Sequence, residues 1–260
     1  MHAAPITRVP VLGVGVHVLT MDTAVETVAG WIERGEPNYV CVTGVHGVME
    51  SWDDPELRRI HNRAGLVTPD GMPLVWLARR RGRRVERVYG PDLMERLCER
   101  SRTAGWRHYL YGASRSTLDS LERNLLWRFP GLRIVGSHSP PYRPLTAPEE
   151  REVRARIAAS RPDIVWVGLS TPKQERWMAA NVGALGPAVL VGVGAAFDIH
   201  AGRVRQAPRW MQRTGLEWLF RVGTEPRRLA GRYLRNNPRF LWLVASGALG
   251  RHRPGWNHVR

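Results

Sequence analysis

Seven short runs of mainly apolar residues recur along the chain, at 11–19, 39–43, 66–68, 108–111, 133–135, 164–168 and 189–192. They are apolar on both faces, which predicts strands covered on both sides. Longer stretches with helical periodicity separate them. Buried strands alternating with helices predict the doubly wound α/β class, a mostly parallel, Rossmann-like sheet with helices on both sides. Thr23 and Glu26 have the spacing of a capping box for a helix over 25–32, and Thr146 and Glu149 the same for one over 151–160.

The pattern changes after Asp198. Arginine and tryptophan recur at helical spacing with no further strand, through Trp210, Trp218, Phe220, Trp242 and Trp256. Two units are therefore expected, an α/β catalytic domain over 1–206 and a helical, basic appendage over 207–260. No internal repeat is evident. The proline-rich piece 139–148 reads as a surface loop or a lid.

Composition narrows the class. With 260 residues and 43% hydrophobic composition the chain can bury a sizeable core. No apolar run approaches the roughly 18 residues of a spanning helix, and residues 1–10 lack the features of a secretory signal. A protein of this kind that meets a membrane lies on it. Cys41 and Cys98 are too few for a disulfide framework, which suggests a reducing, cytoplasmic setting.

The formal charge is +16, and Lys173 is the only lysine among 39 basic residues. From Ala201 to Arg260 there are 13 arginines against two acids, Glu217 and Glu225, a net +11. Such a tail favours phosphates, whether of nucleic acid, lipid headgroups or a diphosphate substrate.

Ligands of open parallel sheets bind beyond the carboxyl ends of strands, and four segments stand there. Asp70, in Thr68-Pro69-Asp70-Gly71, opens a helix expected over 72–80, where a carboxylate suits either an N-cap or a base. The segment Ser170 to Glu175 has Pro172 at a first helical position and Thr171 and Gln174 spaced as a capping box. It also holds Lys173, which suits a phosphate at a helix N-terminus. Gly192-Val-Gly194-Ala-Ala-Phe197-Asp198 has small residues for close ligand approach, and Asp198 could accept hydrogen bonds from a base or ribose. As a dinucleotide fingerprint it is weak, because Phe197 stands where a third glycine belongs. The fourth is Thr43-Gly44-Val45-His46-Gly47, where a lone His46 more often serves structure than catalysis. The chain has no Asp-x-Asp, no P-loop and no His-x-x-x-His pair, so arginines would have to neutralise a diphosphate.

Taken in order, Thr-Pro-Asp-Gly (68–71), Tyr-Gly-Pro-Asp-Leu (89–93), Pro-Lys-Gln-Glu (172–175), Gly-Val-Gly-Ala-Ala-Phe-Asp (192–198), Ala-Gly-Arg-Val-Arg-Gln-Ala-Pro (201–208) and Gly-Leu-Glu-Trp-Leu-Phe-Arg (215–221) resemble the WecG/TagA/CpsF glycosyltransferase family. The resemblance implies an inverting transferase that needs no metal or other cofactor. It would move N-acetylmannosamine or a related hexose from a UDP-sugar to a polyprenyl-diphosphate-linked saccharide in cell-surface polysaccharide or teichoic-acid-type biosynthesis. The place implied is the inner face of the plasma membrane, with the appendage docked on anionic lipid, and a homo-oligomer fits the family.

By this resemblance Asp70 matches the base, and Thr43 and Gln174 contact substrate. Among the tail cations Arg221, Arg227, Arg228 and Arg232, Arg221 and Arg228 are the preferred pair for the leaving diphosphate. Lys173, Gly194 and Asp198 complete the expected substrate contacts. The family often has Thr-x-Asn after its second strand, whereas this chain has Thr43-Gly44-Val45, which leaves the sugar open. A basic nucleic-acid-binding protein with a Rossmann-like core is the rival reading, resting on the tail and a pI near 11.3. It leaves the strand-end segments without a role.

Overall fold

The computed structural model describes residues 6–80 and 82–247, so Trp256 and the appendage beyond 247 lie outside the described residues. In chain order the elements are β1 (Arg8–Val11), β2 (Val14–His17), α1 (Met21–Arg34), β3 (Asn38–Thr43), α2 (Val45–Asp53), α3 (Pro55–Arg63), β4 (Leu66–Pro69), α4 (Met72–Arg79), α5 (Gly90–Ala104) and β5 (Arg107–Gly112). There follow α6 (Arg115–Arg128), β6 (Arg133–His138), α7 (Ala147–Ala159), β7 (Ile164–Gly168), α8 (Lys173–Asn181), β8 (Val189–Gly192), α9 (Ala196–His200), α10 (Arg209–Arg213), α11 (Glu217–Thr224) and α12 (Pro226–Ala245).

Six strands form one parallel sheet in the order β4-β3-β8-β7-β5-β6, the expected α/β architecture. Alternate residues enter two cores, one on each face. Tyr39, Cys41, Val67, Val165, Val167 and Leu190 fill the first, and Val40, Leu66, Leu110, Ile164, Trp166 and Val191 the second. This two-sided burial is why the strands read as unbroken apolar runs.

Three local expectations are corrected. The run 11–19 is the turn and second strand of a hairpin, not one strand: Leu12 and Gly13 take left-handed φ values of 48° and 86°, and β1 pairs antiparallel with β2. Two consecutive left-handed residues match the twist of a tight hairpin, and the glycine bears that conformation without strain. Helix α1 starts before Thr23, capped by Thr20, whose hydroxyl accepts from the Thr23 amide. Thr171 and Gln174 form no capping box, because both side chains turn to Glu175 instead. The box of Thr146 and Glu149 forms as expected, with its helix starting at Ala147.

Register sets the site. Thr43 is level with Pro69, and both Cys41 and Val167 are level with Gly192. The chain therefore leaves β3, β4, β7 and β8 along one rim. Helices α10 to α12 cross above that rim, and α12 packs on α2. Phe240 and Leu243 of α12 enter the first core, Arg239 pairs with both oxygens of Asp53 at 2.6 Å, and Asn236 meets His46 at 3.1 Å. Within the described residues the appendage is thus packed against the sheet domain and roofs its strand ends.

Candidate active site

A cavity of about 460 Å³ lies between the strand ends and the roof, within the size range of small-molecule sites. All four strand-end segments reach it, through Gly44, Asp70, Gln174 and Gly194 among others, and the roof adds Glu217, Arg221, Arg228, Arg232 and Tyr233.

Asp70 follows β4 directly. Its amide donates to the Thr43 carbonyl at 2.9 Å, tying it to the end of β3. It does not cap α4: Gly71 holds the N-cap position, with no side-chain cap bond. The carboxylate is thereby left free for the cavity. Arg87 reaches it from the segment between α4 and α5, with Nη2 3.4 Å from the carboxylate and Nε donating to the Asp70 carbonyl. The amide of the adjoining Val88 donates to Pro69 at 2.9 Å, which fixes this segment across the end of β4.

Arg87 also pairs with Glu217 of α11 at 2.5 Å and stacks over the Tyr89 ring at 4.1 Å. Gly215 makes that approach possible. Its φ is +74°, and a Cβ there would fall 2.7 Å from Trp76 Cη2, so a side chain would both strain the turn and lift Glu217 off the site.

Burial pushes the Asp70 carboxyl up to about 6; Arg87 and Arg221 oppose the rise and Glu217 adds to it. A carboxyl poised there is ionised at neutral pH yet still a competent proton acceptor. Arg221 is half-buried in the wall, with its Nε lacking a hydrogen-bond partner. Arg228 lines the same wall and pairs with Glu225 at 2.5 Å. Burial and Arg232 hold His46 down to about 4, so its ring is neutral at physiological pH. Among the described residues no group of three or more His, Cys, Asp or Glu side chains is arranged for a metal ion.

The expected site residues separate into two sets. Asp70, Gln174, Gly194, Arg221 and Arg228 share the cavity wall. Thr43 lies behind it, buried, its hydroxyl donating to the Cys41 carbonyl at 3.2 Å while its own carbonyl holds Asp70. Lys173 stands outside on the exposed side of α8, 5.7 Å from the Tyr142 ring. Asp198 also lies outside the wall. Its carbonyl accepts from the Arg203 and Val204 amides, and its carboxyl, raised chiefly by burial, feels Arg228. Arg227 is exposed and takes no part in the wall.

Sequence reasoning missed Arg87, Tyr233 and Asn237, and assigned no role to Tyr89 or Glu217. Arg87 follows the run Arg79 to Arg84 in an arginine-rich chain, where nothing local marks it. Tyr89 and Glu217 carried a signal, since each lies inside a quoted motif.

Comparison with known proteins identifies the family. The model of the "Glycosyl transferase WecG/TagA/CpsF family" matches residues 9–254. A Bacillus spizizenii protein named N-acetylglucosaminyldiphosphoundecaprenol N-acetyl-beta-D-mannosaminyltransferase is 32% identical over 199 residues, which cover 76% of each chain. The chain belongs to the WecG/TagA/CpsF family of glycosyltransferases.

Proposed function

We propose that this enzyme transfers a hexose, N-acetylmannosamine or a close relative, from a UDP-sugar to a polyprenyl-diphosphate-linked saccharide, inverting the anomeric centre without a metal ion. The observation that carries the reading is the Asp70 carboxyl, unclaimed by any helix cap and facing a cavity walled by arginines. The acceptor hydroxyl gives its proton to Asp70 as its oxygen bonds to the anomeric carbon. The bond from that carbon to the UDP oxygen breaks on the opposite side, and the electron pair leaves with UDP. Arg221 and Arg228 meet the growing charge on the diphosphate. Arg87 holds Asp70 in place and stays engaged by Glu217.

The relative's name supports a lipid-diphosphate acceptor and a β-linked product, and a β-linkage formed from an α-linked donor requires inversion. An acceptor of that type lies in a membrane, and the outer surface of the roof suits one. Leu234, Leu241 and Trp242 on α12 are 72%, 64% and 67% exposed, beside the exposed Arg227 and Arg235. Among the described residues no helix is long and apolar enough to cross a bilayer. An apolar face flanked by arginines binds in the plane of an anionic surface. Leu241 also lines the cavity mouth, so docking this face brings the lipid diphosphate to Asp70.

The test is a panel of UDP-sugars offered with a polyprenyl-diphosphate-linked N-acetylglucosamine acceptor, following UDP release and the anomeric configuration of the product by NMR. Turnover of one UDP-hexosamine to a β-linked lipid product is expected. Absence of turnover with every UDP-sugar, or retention at the anomeric centre, sinks the proposal.

A further inference from the structure

Gln174 and Glu175 are adjacent on the first turn of α8 and almost wholly buried, at 3% and 1% exposure. Gln174 reaches the cavity wall, whereas Glu175 lies behind it. One oxygen of Glu175, Oε1, receives two donors: the Thr171 hydroxyl at 2.8 Å and the Gln174 Nε2 at 3.0 Å. The two ends of a carboxamide differ in kind, one donating and one accepting, so fixing one end fixes the other. With its N–H₂ group held by Glu175, Gln174 turns Oε1 away toward Gly194, where a Cβ would lie 3.7 Å from it. That oxygen is buried and has no partner within the protein.

Two further features hold this geometry. A Cβ at Gly192 would fall 3.2 Å from Gln174 Nε2 and 2.7 Å from Met178 Cε, so the bare backbone of β8 is what admits the carboxamide. Thr171, whose hydroxyl hydrogen is spent on Glu175, likewise lines the cavity and has only lone pairs left to offer.

We propose that Glu175 is a positioning residue: it orients Gln174, and with it Thr171, so that this wall of the cavity presents hydrogen-bond acceptors and selects a donor group, O–H or N–H, on the nucleotide sugar. The ligand class rests on the glycosyl-transfer reading above. A buried acceptor without a partner carries a desolvation cost that a ligand donor removes. A ligand offering only acceptors at that point leaves the cost in place.

A double-mutant cycle tests this, with Gln174→Met, Glu175→Met and the pair together, each checked for folding by thermal melting. If Glu175 acts through Gln174 and Thr171, each single variant raises KM for the UDP-sugar about tenfold with a much smaller change in kcat, and the pair is no worse than Glu175→Met, which already loses both orientations. Inhibition by UDP alone tells which part of the ligand carries the donor: a parallel loss assigns it to the nucleotide, an unchanged constant to the sugar, and both fit the proposal. An unchanged KM in Glu175→Met, or losses that multiply to about a hundredfold in the pair, overturns it. Should Glu175→Met not fold, a crystal structure of the wild type with UDP-sugar decides. A ligand O–H or N–H bonded to Gln174 Oε1 supports the assignment, and a ligand acceptor facing Gln174 overturns it. A wild type that binds no UDP-sugar overturns both this and the parent reading, whereas normal wild-type turnover with an indifferent Glu175→Met removes the positioning role alone.

Discussion

Arg87 stands 3.4 Å from the Asp70 carboxylate, and that carboxyl nevertheless titrates at about 6, because burial outweighs the nearby cation. As the proposed base, Asp70 is therefore ionised mainly above that value. We expect kcat/KM to fall about tenfold per pH unit below pH 6 and to level off above it. A profile flat from pH 7 to pH 5 would place the proton acceptor elsewhere.

The same shift makes a stability statement. A carboxyl whose pKa rises from 3.8 to about 6 on folding binds its proton more tightly in the native state, so the stability it contributes is present below pH 3.8 and lost as pH rises through 6. Asp70→Asn removes that loss. The variant is expected to be more stable than the wild type at pH 8, by about 1 kcal/mol after allowing for partial solvent access, with the gap closing toward pH 4. Paired thermal melts at the two pH values measure it, and a less stable variant at pH 8 would contradict the electrostatic account.

Glu217 shapes the titration from across the roof. Its charge raises the Asp70 carboxyl and also engages Arg87. Glu217→Gln should move the acidic limb of the rate profile to lower pH, since Arg87 then acts on Asp70 alone. An unmoved limb would mean that the two carboxylates are not coupled through Arg87.

Leu234 and Trp242 are exposed and lie outside the cavity wall, which allows membrane docking to be tested apart from chemistry. Changing both to Ser should weaken binding to anionic vesicles about tenfold or more. The stability change should stay within about 1 kcal/mol for two surface sites, and KM for a soluble donor should hold. Vesicle sedimentation gives the answer, and unchanged sedimentation would remove α12 as the docking face.

Much of this arrangement is legible in the sequence for a topological reason. In a parallel sheet every strand delivers its following residues to the same end, so strand-end segments 150 residues apart meet without any local signal of contact. The apolar runs locate the strands, and the strands locate Thr43, Asp70, Gln174 and Gly194. What local patterns cannot carry is which side chain turns toward which. Asp70 and Thr171 both read as caps, yet Gly71 takes the cap position of α4, and Thr171 turns to Glu175. Arg87 is one arginine among 38, distinguished only by the fold that lays its segment over β4. The hairpin turn at Leu12 and Gly13 is hidden because its first residue is an apolar leucine inside the apolar run 11–19. The tail reads as a separate basic unit because its arginines dominate the pattern, while the contacts of Phe240 and Leu243 with the core appear only in three dimensions.

The most direct test of the account is UDP release by wild type and Asp70→Asn at pH 8, with a saturating UDP-hexosamine and the polyprenyl-diphosphate-linked acceptor. Loss of the base should lower kcat at least about a hundredfold while the donor KM changes little and the protein remains folded. Turnover by the Asn variant within about threefold of wild type would contradict the assignment of Asp70 and the mechanism built on it.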